Sequence, residues 1–98
     1  MLNYFLTNKA VEDLSDIWLY TYNVWSEKQA DNYYNLLTDS FNDIASNPSI
    51  GKKFIEIDHV IQGYYVGKHI IFYKNINENI EIIRILHQNM DLKRRLNH

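Results

Sequence analysis

One arginine interrupts the most apolar stretch of this sequence, close to its C-terminal end. Residues 80–87 read IEIIRILH, with Arg84 near the centre and His87 at the end. A guanidinium that is taken out of water needs a carboxylate partner or an anionic ligand, because burying an unpaired charge is costly. The sequence leaves two interpretations open: an ion pair, for example with Asp91 or with an acid of the two helices predicted below, or a contact with a partner or a phosphate.

The period of a β-strand predicts which neighbours share a face with Arg84. Successive side chains of a strand alternate between its two faces. Arg84 is therefore expected on one face with Ile80, Ile82 and Leu86, and residues 81, 83, 85 and 87 on the other. Both faces are apolar, so we expect each of them to be covered.

Other basic side chains could complete a catalytic set with Arg84. His87 could move a proton because imidazole titrates near neutral pH, although a histidine at a strand end is often only a hydrogen-bonded structural residue. Lys52 and Lys53 lie in a basic loop that is either solvated or in contact with phosphate. Arg84, His87, Lys52 and Lys53 are catalytic candidates only if the fold brings them together.

Three consecutive bases lie near the end of the chain. Lys93, Arg94 and Arg95 follow Asp91, which could begin a short helix. Bases near the C-terminus of a helix interact favourably with its dipole. The run therefore either stabilises that helix or binds a partner, and the sequence does not decide between the two.

Length and composition bound the remaining possibilities. A chain of 98 residues has room for one core, so residues 1–98 are predicted to form a single domain. The absence of cysteine removes disulfides and thiolate chemistry, and His59, His69 and His98 lack the spacing of metal ligands, so we expect no metal or cofactor. No apolar run is long enough for a membrane span and no leader pattern is evident, which predicts a cytoplasmic protein.

Charge is distributed unevenly along the chain. Acids dominate residues 10–48, whereas bases outnumber acids from residue 49 onward, although the formal net charge is only −2. A charge pattern divided in this way favours a surface that faces an anionic partner over a uniformly basic coat for nucleic acid.

Hydrophobic periodicity predicts a strand followed by two helices in the first half. A short strand at residues 2–6 precedes Thr7, a predicted helix N-cap, and Ser26 begins the second helix as the first residue of a capping box. Asn47 and Pro48 end that helix. Apolar spacings of three and four predict a core stripe on the first helix: Val11, Leu14, Trp18, Tyr22 and Trp25.

The second half changes to the period of strands. Strands are predicted at residues 61–66, 69–74 and 80–87, with Gly67 and Lys68 as a tight turn and asparagines at 75, 77 and 79 as the next turn. Residues 54–60 could form an extra strand. We therefore predict an α+β fold of order β-α-α-β-β-β, with an antiparallel helical hairpin on one face of a mainly antiparallel sheet and a short C-terminal helix or tail.

Three segments resemble a known family. NPSIGK after the second helix, the hairpin YYVGKHIIFYK and the closing IIRILHQNMDLKRRL are similar to the ParE branch of the RelE/ParE toxins of bacterial type II toxin–antitoxin modules. The resemblance covers nearly the whole chain. It implies a toxin that is held inactive by the C-terminal segment of a cognate antitoxin, and an action on DNA gyrase by protein–protein binding.

The resemblance also implies an alternative activity, because RelE-type relatives cut messenger RNA in the ribosome. That reaction requires a proton-transfer group and several cations on the developing phosphorane. Here only Lys74 adds a base to the middle strand, and no tyrosine follows Tyr73. A non-enzymatic gyrase inhibitor is therefore favoured, with a ribosome-dependent endoribonuclease or an inactive, antitoxin-binding protein as alternatives. Direct nucleic-acid binding is expected only for the nuclease.

The surface that meets the antitoxin or the target is predicted from exposed bases and aromatic side chains. An acidic or amphipathic antitoxin segment is expected to cover the apolar faces of the sheet. The predicted contact residues are Arg84, Lys74, Tyr64, Tyr65, Met90, Lys93, Arg94 and Arg95.

Overall fold

Two capped helices follow the first strand, as the sequence predicts. The computed structural model describes residues 2–96, and His98 lies outside this range. β1 (Asn3–Leu6) leads into α1 (Asn8–Val24), where the Thr7 side chain accepts a hydrogen bond from the Ala10 amide. Ser26 caps α2 (Glu27–Ser46) in the same way, through the amide of Gln29.

The strands form one five-stranded sheet in the order β1-β5-β4-β3-β2. The strands after the helices are β2 (Lys52–Lys53), β3 (Gln62–Val66), β4 (His69–Ile76) and β5 (Asn79–His87), and α3 (Leu92–Leu96) follows them. β1 pairs with β5 in parallel, and all the other pairs are antiparallel. The predicted α+β class and mainly antiparallel sheet are confirmed. No helix within residues 2–96 is long and apolar enough to cross a membrane.

The extra strand lies earlier than the sequence suggested. Lys52 and Lys53, predicted as a loop, pair with β3 as β2, whereas residues 54–60 form turns and no strand.

The β3–β4 and β4–β5 hairpins both have tight turns. Gly67 has a φ of 57° in the first turn, and Asn77 and Glu78 have φ values of 50° and 66° in the second, so both turns use the left-handed region.

A bulge in β5 overturns the predicted alternation. Phe72 lies opposite Arg84 but Tyr73 lies opposite Ile82, which leaves Ile83 as the additional residue. As a result Ile80, Ile82 and Ile85 enter the core under the helices, whereas Ile83 and Leu86 pack on the other face of the sheet. The expectation that Leu86 shares a face with Ile80 and Ile82 is therefore wrong.

Each face of the sheet is covered by a different part of the chain. The helical hairpin covers one face with side chains such as Leu37, Phe41 and Ile44. The opposite face, called here the back face, buries Phe54, Ile61, Ile70, Phe72 and Leu86, and Leu92 and Leu96 of α3 pack against this cluster. The chain's own elements thus cover the two apolar surfaces that the antitoxin was expected to cover.

Of the predicted core stripe of α1, only Leu14 is buried. The buried residues of α1 are Ala10 and Leu14, and Ile17 packs against the same cluster. Trp18 is half-buried at the helix surface, and three members of the predicted stripe, Val11, Tyr22 and Trp25, are exposed. Two adjacent stripes of α1 have helical spacing, and the sequence pattern alone did not show which one packs on the sheet.

Candidate functional site

Arg84 is held by an acid from the first helix. Its Nε and Nη2 atoms donate to the two carboxylate oxygens of Asp13, at 2.7 and 2.9 Å, and the backbone amide of Ile85 donates to the same carboxylate at 3.0 Å. Of the two interpretations left open by the sequence, the structure contains an ion pair with an acid of the helical hairpin. Asp91 has another role, since its side chain accepts from the Arg94 amide at the start of α3.

The start of α1 occupies the edge of β5 where β1 ends. β1 pairs with β5 only as far as Ile82. Beyond Ile82, the Thr7 hydroxyl donates to the Ile83 carbonyl at 2.7 Å, and the Asp13 carboxylate accepts from the Ile85 amide. The polar groups of this strand edge are therefore satisfied by side chains, which fixes the position of Arg84.

The ion pair leaves little of the guanidinium charge for a ligand. The Arg84 and Asp13 side chains are only 15% and 13% exposed. The hydrogen bonds that Arg84 donates to Asp13 raise the pKa of Arg84, against a smaller opposing effect of burial. A charge-assisted bidentate pair of this kind is strong because it combines two short, parallel hydrogen bonds. Arg84 is consequently a poorer clamp for phosphate than a free arginine.

A second polar cluster lies beside this pair, where α2 crosses the β3–β4 turn. The Tyr33 hydroxyl lies 2.6 Å from Nδ1 of His69, and it accepts a hydrogen bond from the Lys68 amide at 3.1 Å. Burial, and next the charge of His87, lower the pKa of His69 to about 4, against a smaller opposing effect of Asp13. His69 is therefore neutral at physiological pH. Its Nδ1 shares a hydrogen bond with the Tyr33 hydroxyl, which also lies 3.3 Å from the Val66 carbonyl oxygen.

His87 lies edge-to-face against His69, and the two histidines share one small cavity. Their ring centroids are 5.4 Å apart with an interplanar angle of 79°, and Nδ1 of His87 accepts from the Asn89 amide. The cavity has a volume of about 210 Å³. It is lined by Asp13, Asp16, Ile17, His69, Arg84, Ile85, Leu86, His87, Met90 and Arg95.

The fold separates the two catalytic lysine candidates from the other two candidates. Register places Lys52, Gly63, Phe72 and Arg84 in one row across four strands, so Lys52 and Arg84 are separated by three strand spacings, about 14 Å. The Lys52 ammonium instead lies 5.8 Å from the centre of the Phe54 ring. Arg84 and His87 share the cavity, but Lys52 and Lys53 do not line it.

The predicted contact residues divide into groups. Met90 and Arg95 join Arg84 at the cavity, and Lys93 and Arg94 are exposed on α3 next to it. Lys74 lies opposite Glu81 in the β4–β5 ladder. Tyr64 packs against the core under the helices, whereas Tyr65 is exposed on β3. Of the predicted set, Arg84, Met90 and Arg95 therefore line the cavity, and Lys74, Tyr64 and Tyr65 do not.

Three residues of this site are not recognisable as site residues from the sequence alone: Asp13, Tyr33 and His69. Asp13 and Arg84 are 71 positions apart, and Tyr33 and His69 are 36 positions apart, so no local motif connects them. Each lies within a helix or strand, in a local sequence that has no feature typical of a functional site. Only the crossing of the helices over the sheet brings them together.

Comparison with known families settles the class of protein. The family model described as the ParE toxin of the type II toxin-antitoxin system, parDE, matches residues 4–92. The chain belongs to the ParE toxin family. Two ParE relatives are similar over nearly their entire lengths. The Toxin ParE1 of Mycobacterium tuberculosis is 36% identical, covering 95% of this chain and 96% of that protein, and the Toxin ParE1 of Caulobacter vibrioides is 33% identical, covering 98% and 99%.

A solved ParE-related structure has the same fold. The structure described as the chromosomal ParDE TA system from P. aeruginosa superposes with a TM-score of 0.78 over 89% of this chain and 96% of that one, at 15% identity. The ParE resemblance and the predicted fold are thus confirmed. The protein is a toxin of a type II toxin–antitoxin system, and its partner is an antitoxin.

Proposed function

We propose that this ParE-family toxin acts in the cytoplasm by binding DNA gyrase and inhibiting it, without catalysing a reaction of its own. The observation that carries this proposal is the Asp13–Arg84 ion pair. RNA cleavage needs cations that are free to stabilise a phosphorane. Here the central arginine is neutralised by Asp13, and Lys52 and Lys53 lie about three strands away.

The surface proposed for the gyrase contact is the C-terminal segment next to the cavity. Met90 is exposed there, and Lys93, Arg94 and Arg95 project from α3. Exposed bases steer association with acidic surfaces, and a flexible methionine suits an apolar contact. Most of the acidic residues, by contrast, lie in α1 and α2.

A supercoiling assay tests this proposal. Purified toxin added to gyrase and relaxed plasmid should reduce supercoiling and leave cleaved DNA. The Lys93→Gln/Arg94→Gln/Arg95→Gln variant should inhibit less at equal concentration, whereas Lys28→Gln, an exposed base on α2, should inhibit as the wild type does. Unaltered supercoiling at excess folded toxin would contradict the proposal.

The His69–His87 cavity favours a second candidate, a ribosome-dependent endoribonuclease. Two imidazoles, Arg84 and Arg95 line one cavity, and such groups can transfer protons and contact phosphate. Under this alternative, cells that express the toxin should contain cut transcripts, and Arg84→Ala and His87→Ala should abolish the cuts. Intact transcripts during toxin-dependent growth arrest would exclude it. Ordinary growth on expression without antitoxin would instead indicate an inactive toxin.

A further inference from the structure

The two outer edges of the sheet differ in how they are protected. At one edge lies β2, which is only two residues long and consists of Lys52 and Lys53, both exposed. Short strands and lysines keep a sheet edge from pairing with another chain. The other edge is β1, four residues of sequence NYFL without a charge or a proline. No strand within residues 2–96 pairs with the outer side of β1, so this edge lacks the usual protection.

The ladder with β5 shows which backbone groups of β1 face outward. The Thr7 amide donates to the Ile82 carbonyl, and Leu6 is the register partner of Ile82. In a parallel ladder only every second residue of a strand bonds to a given neighbour. The Phe5 backbone therefore faces β5, like the Thr7 amide, whereas the amides and carbonyls of Tyr4 and Leu6 face outward. No turn, loop or cap within residues 2–96 bonds to these outward groups.

The side chains of β1 alternate as well, and the central one is uncovered. Tyr4 and Leu6 pack against the core under the helices, with the Tyr4 ring centroid 5.6 Å from that of Phe41. Phe5 projects to the back face, where it is 49% exposed and is not a member of the cluster that α3 covers. A large apolar side chain therefore lies at the centre of an unpaired and uncharged strand edge.

We propose that the free toxin dimerises by pairing β1 with β1 of a second copy, antiparallel and about a two-fold axis at Phe5. In this register the outward groups of Tyr4 bond to those of Leu6 in the second copy, and the reverse. The Phe5 side chain lies opposite its own counterpart on the back face, where cross-strand aromatic pairs stabilise a sheet. This inference concerns the toxin itself and does not depend on gyrase as the target.

The arrangement of the two edges favours a second copy as the occupant. Tyr4 and Leu6 lie symmetrically about Phe5, so each outward donor meets an acceptor when the same strand is reversed. The paired sheet ends on both sides at a lysine-bearing β2. Assembly therefore stops at the dimer, as expected of an isologous contact. Because the contact buries only a short strand, we expect a dissociation constant of about 10 µM or higher.

Sedimentation velocity of the full-length toxin without antitoxin measures the dimer directly. Between about 1 and 100 µM, the wild-type toxin should shift from the sedimentation coefficient of a monomer to that of a dimer. Hydrogen exchange over the same concentrations should slow at the outward amides of Tyr4 and Leu6. The exchange rate of the Phe5 amide, which faces β5, should not change. These two measurements need no variant.

Opposite charges at position 5 test the register. Phe5→Lys and Phe5→Glu should each weaken dimerisation at least about tenfold, because the two-fold axis places like charges opposite each other. An equimolar mixture of the two variants should dimerise at least about tenfold more tightly than either variant alone. Tyr20→Lys and Tyr20→Glu are the matched controls, since Tyr20 is an exposed aromatic residue on α1, and both should dimerise as the wild type does. Circular dichroism establishes that each variant is folded.

Several results would overturn the inference. Wild-type toxin that stays monomeric up to about 100 µM would not have this contact. A dimer that both Phe5 variants leave intact would use another surface, and a mixture no tighter than its components would exclude a two-fold axis at Phe5. Exchange at Tyr4 and Leu6 that slows only after antitoxin is added would assign the edge to the antitoxin. Gyrase inhibition is not measured in these experiments, so the proposed function can fail while the dimer stands, and the reverse.

Discussion

Asp13 and Arg84 form a bidentate ion pair between the first helix and the last strand, at 2.7 and 2.9 Å. The same carboxylate accepts a hydrogen bond from the Ile85 amide. One side chain therefore both neutralises the guanidinium and satisfies a backbone amide at the edge of β5. Since β1 ends its pairing at Ile82, this carboxylate replaces a ladder partner that the sheet lacks there. Arg84, which the sequence offers as a catalytic candidate, therefore links the helical hairpin to the sheet.

Removing the carboxylate should destabilise the fold strongly. Asp13→Ala leaves the Arg84 guanidinium and the Ile85 amide without their partner in a mostly buried location, and we expect a loss of about 2–4 kcal/mol in the free energy of unfolding. Urea denaturation measures it. Asp39→Ala, an exposed acid on α2, is the control and should change stability by less than about 0.5 kcal/mol. Equal stability of the two variants would contradict the structural role of Asp13.

Acid should destabilise the protein through His69. Because its pKa falls from 6.5 to about 4 on folding, the ring stays neutral in the folded chain but binds a proton in the unfolded chain below about pH 6.5. The stability that this difference provides is complete above that pH and is lost as the pH falls toward 4. Solvent screens the partly exposed ring, so we expect a loss of about 1–2 kcal/mol.

A His69→Gln variant isolates this effect. The amide of glutamine can either accept or donate a hydrogen bond with the Tyr33 hydroxyl but does not titrate. The charged and titratable neighbours on the cavity, Asp13, Asp16, Arg84, His87 and Arg95, remain in both chains. Urea denaturation at a series of pH values between 6.5 and about 4 should show a smaller loss of stability in the variant than in the wild type. Parallel pH profiles would mean that His69 does not cause the acid sensitivity.

Much of the fold follows from signals that are local in sequence. Thr7 and Ser26 begin their helices as predicted, because each side chain accepts an amide three residues ahead. The β3–β4 hairpin was also predicted, since Gly67 allows the positive φ that its tight turn requires. Such features depend on a few neighbouring residues, and distant packing does not alter them.

The sequence predictions were wrong where packing between distant segments decides which side chains are buried. α1 has two apolar stripes at helical spacing, and the one that contains Ala10, Leu14 and Ile17 packs on the sheet. The bulge at Ile83 reverses the sheet face on which the following side chains lie, and no residue pattern in IEIIRILH predicts it. The Tyr33–His69 contact likewise depends on where α2 crosses the β3–β4 turn. Sequence therefore predicted Arg84 and His87 as candidates but not the neighbours that determine their chemistry.

A methyl group added at Gly63 should disturb the back face. A Cβ at this position would lie 2.6 Å from the Phe54 ring and 2.9 Å from a methyl group of Ile70, so both side chains would have to move. We expect Gly63→Ala to cost about 1–3 kcal/mol, and thermal unfolding measures the lower midpoint. Gly63→Ala combined with Phe54→Leu should recover part of the loss, because the smaller side chain makes room. An unchanged midpoint in the single variant would show that the back face is loosely packed.

The bases of α3 should serve association more than folding. Lys93, Arg94 and Arg95 are exposed, so replacing all three with glutamine should cost at most about 1 kcal/mol, through the lost interaction with the helix C-terminus. Leu92→Ala with Leu96→Ala should cost more than the glutamine variant, because these leucines pack against the back face.

Association with an acidic partner separates these two roles. Without the three charges, the association rate measured by surface plasmon resonance should fall and should lose most of its dependence on salt, since steering by exposed charges is screened over about 10 Å at 0.1 M salt. The leucine variant should associate with the usual salt dependence as long as it is folded. If the glutamine variant kept both the rate and the salt dependence of the wild type, the bases would have no part in partner recognition, and stabilising the C-terminal turn would be their remaining role.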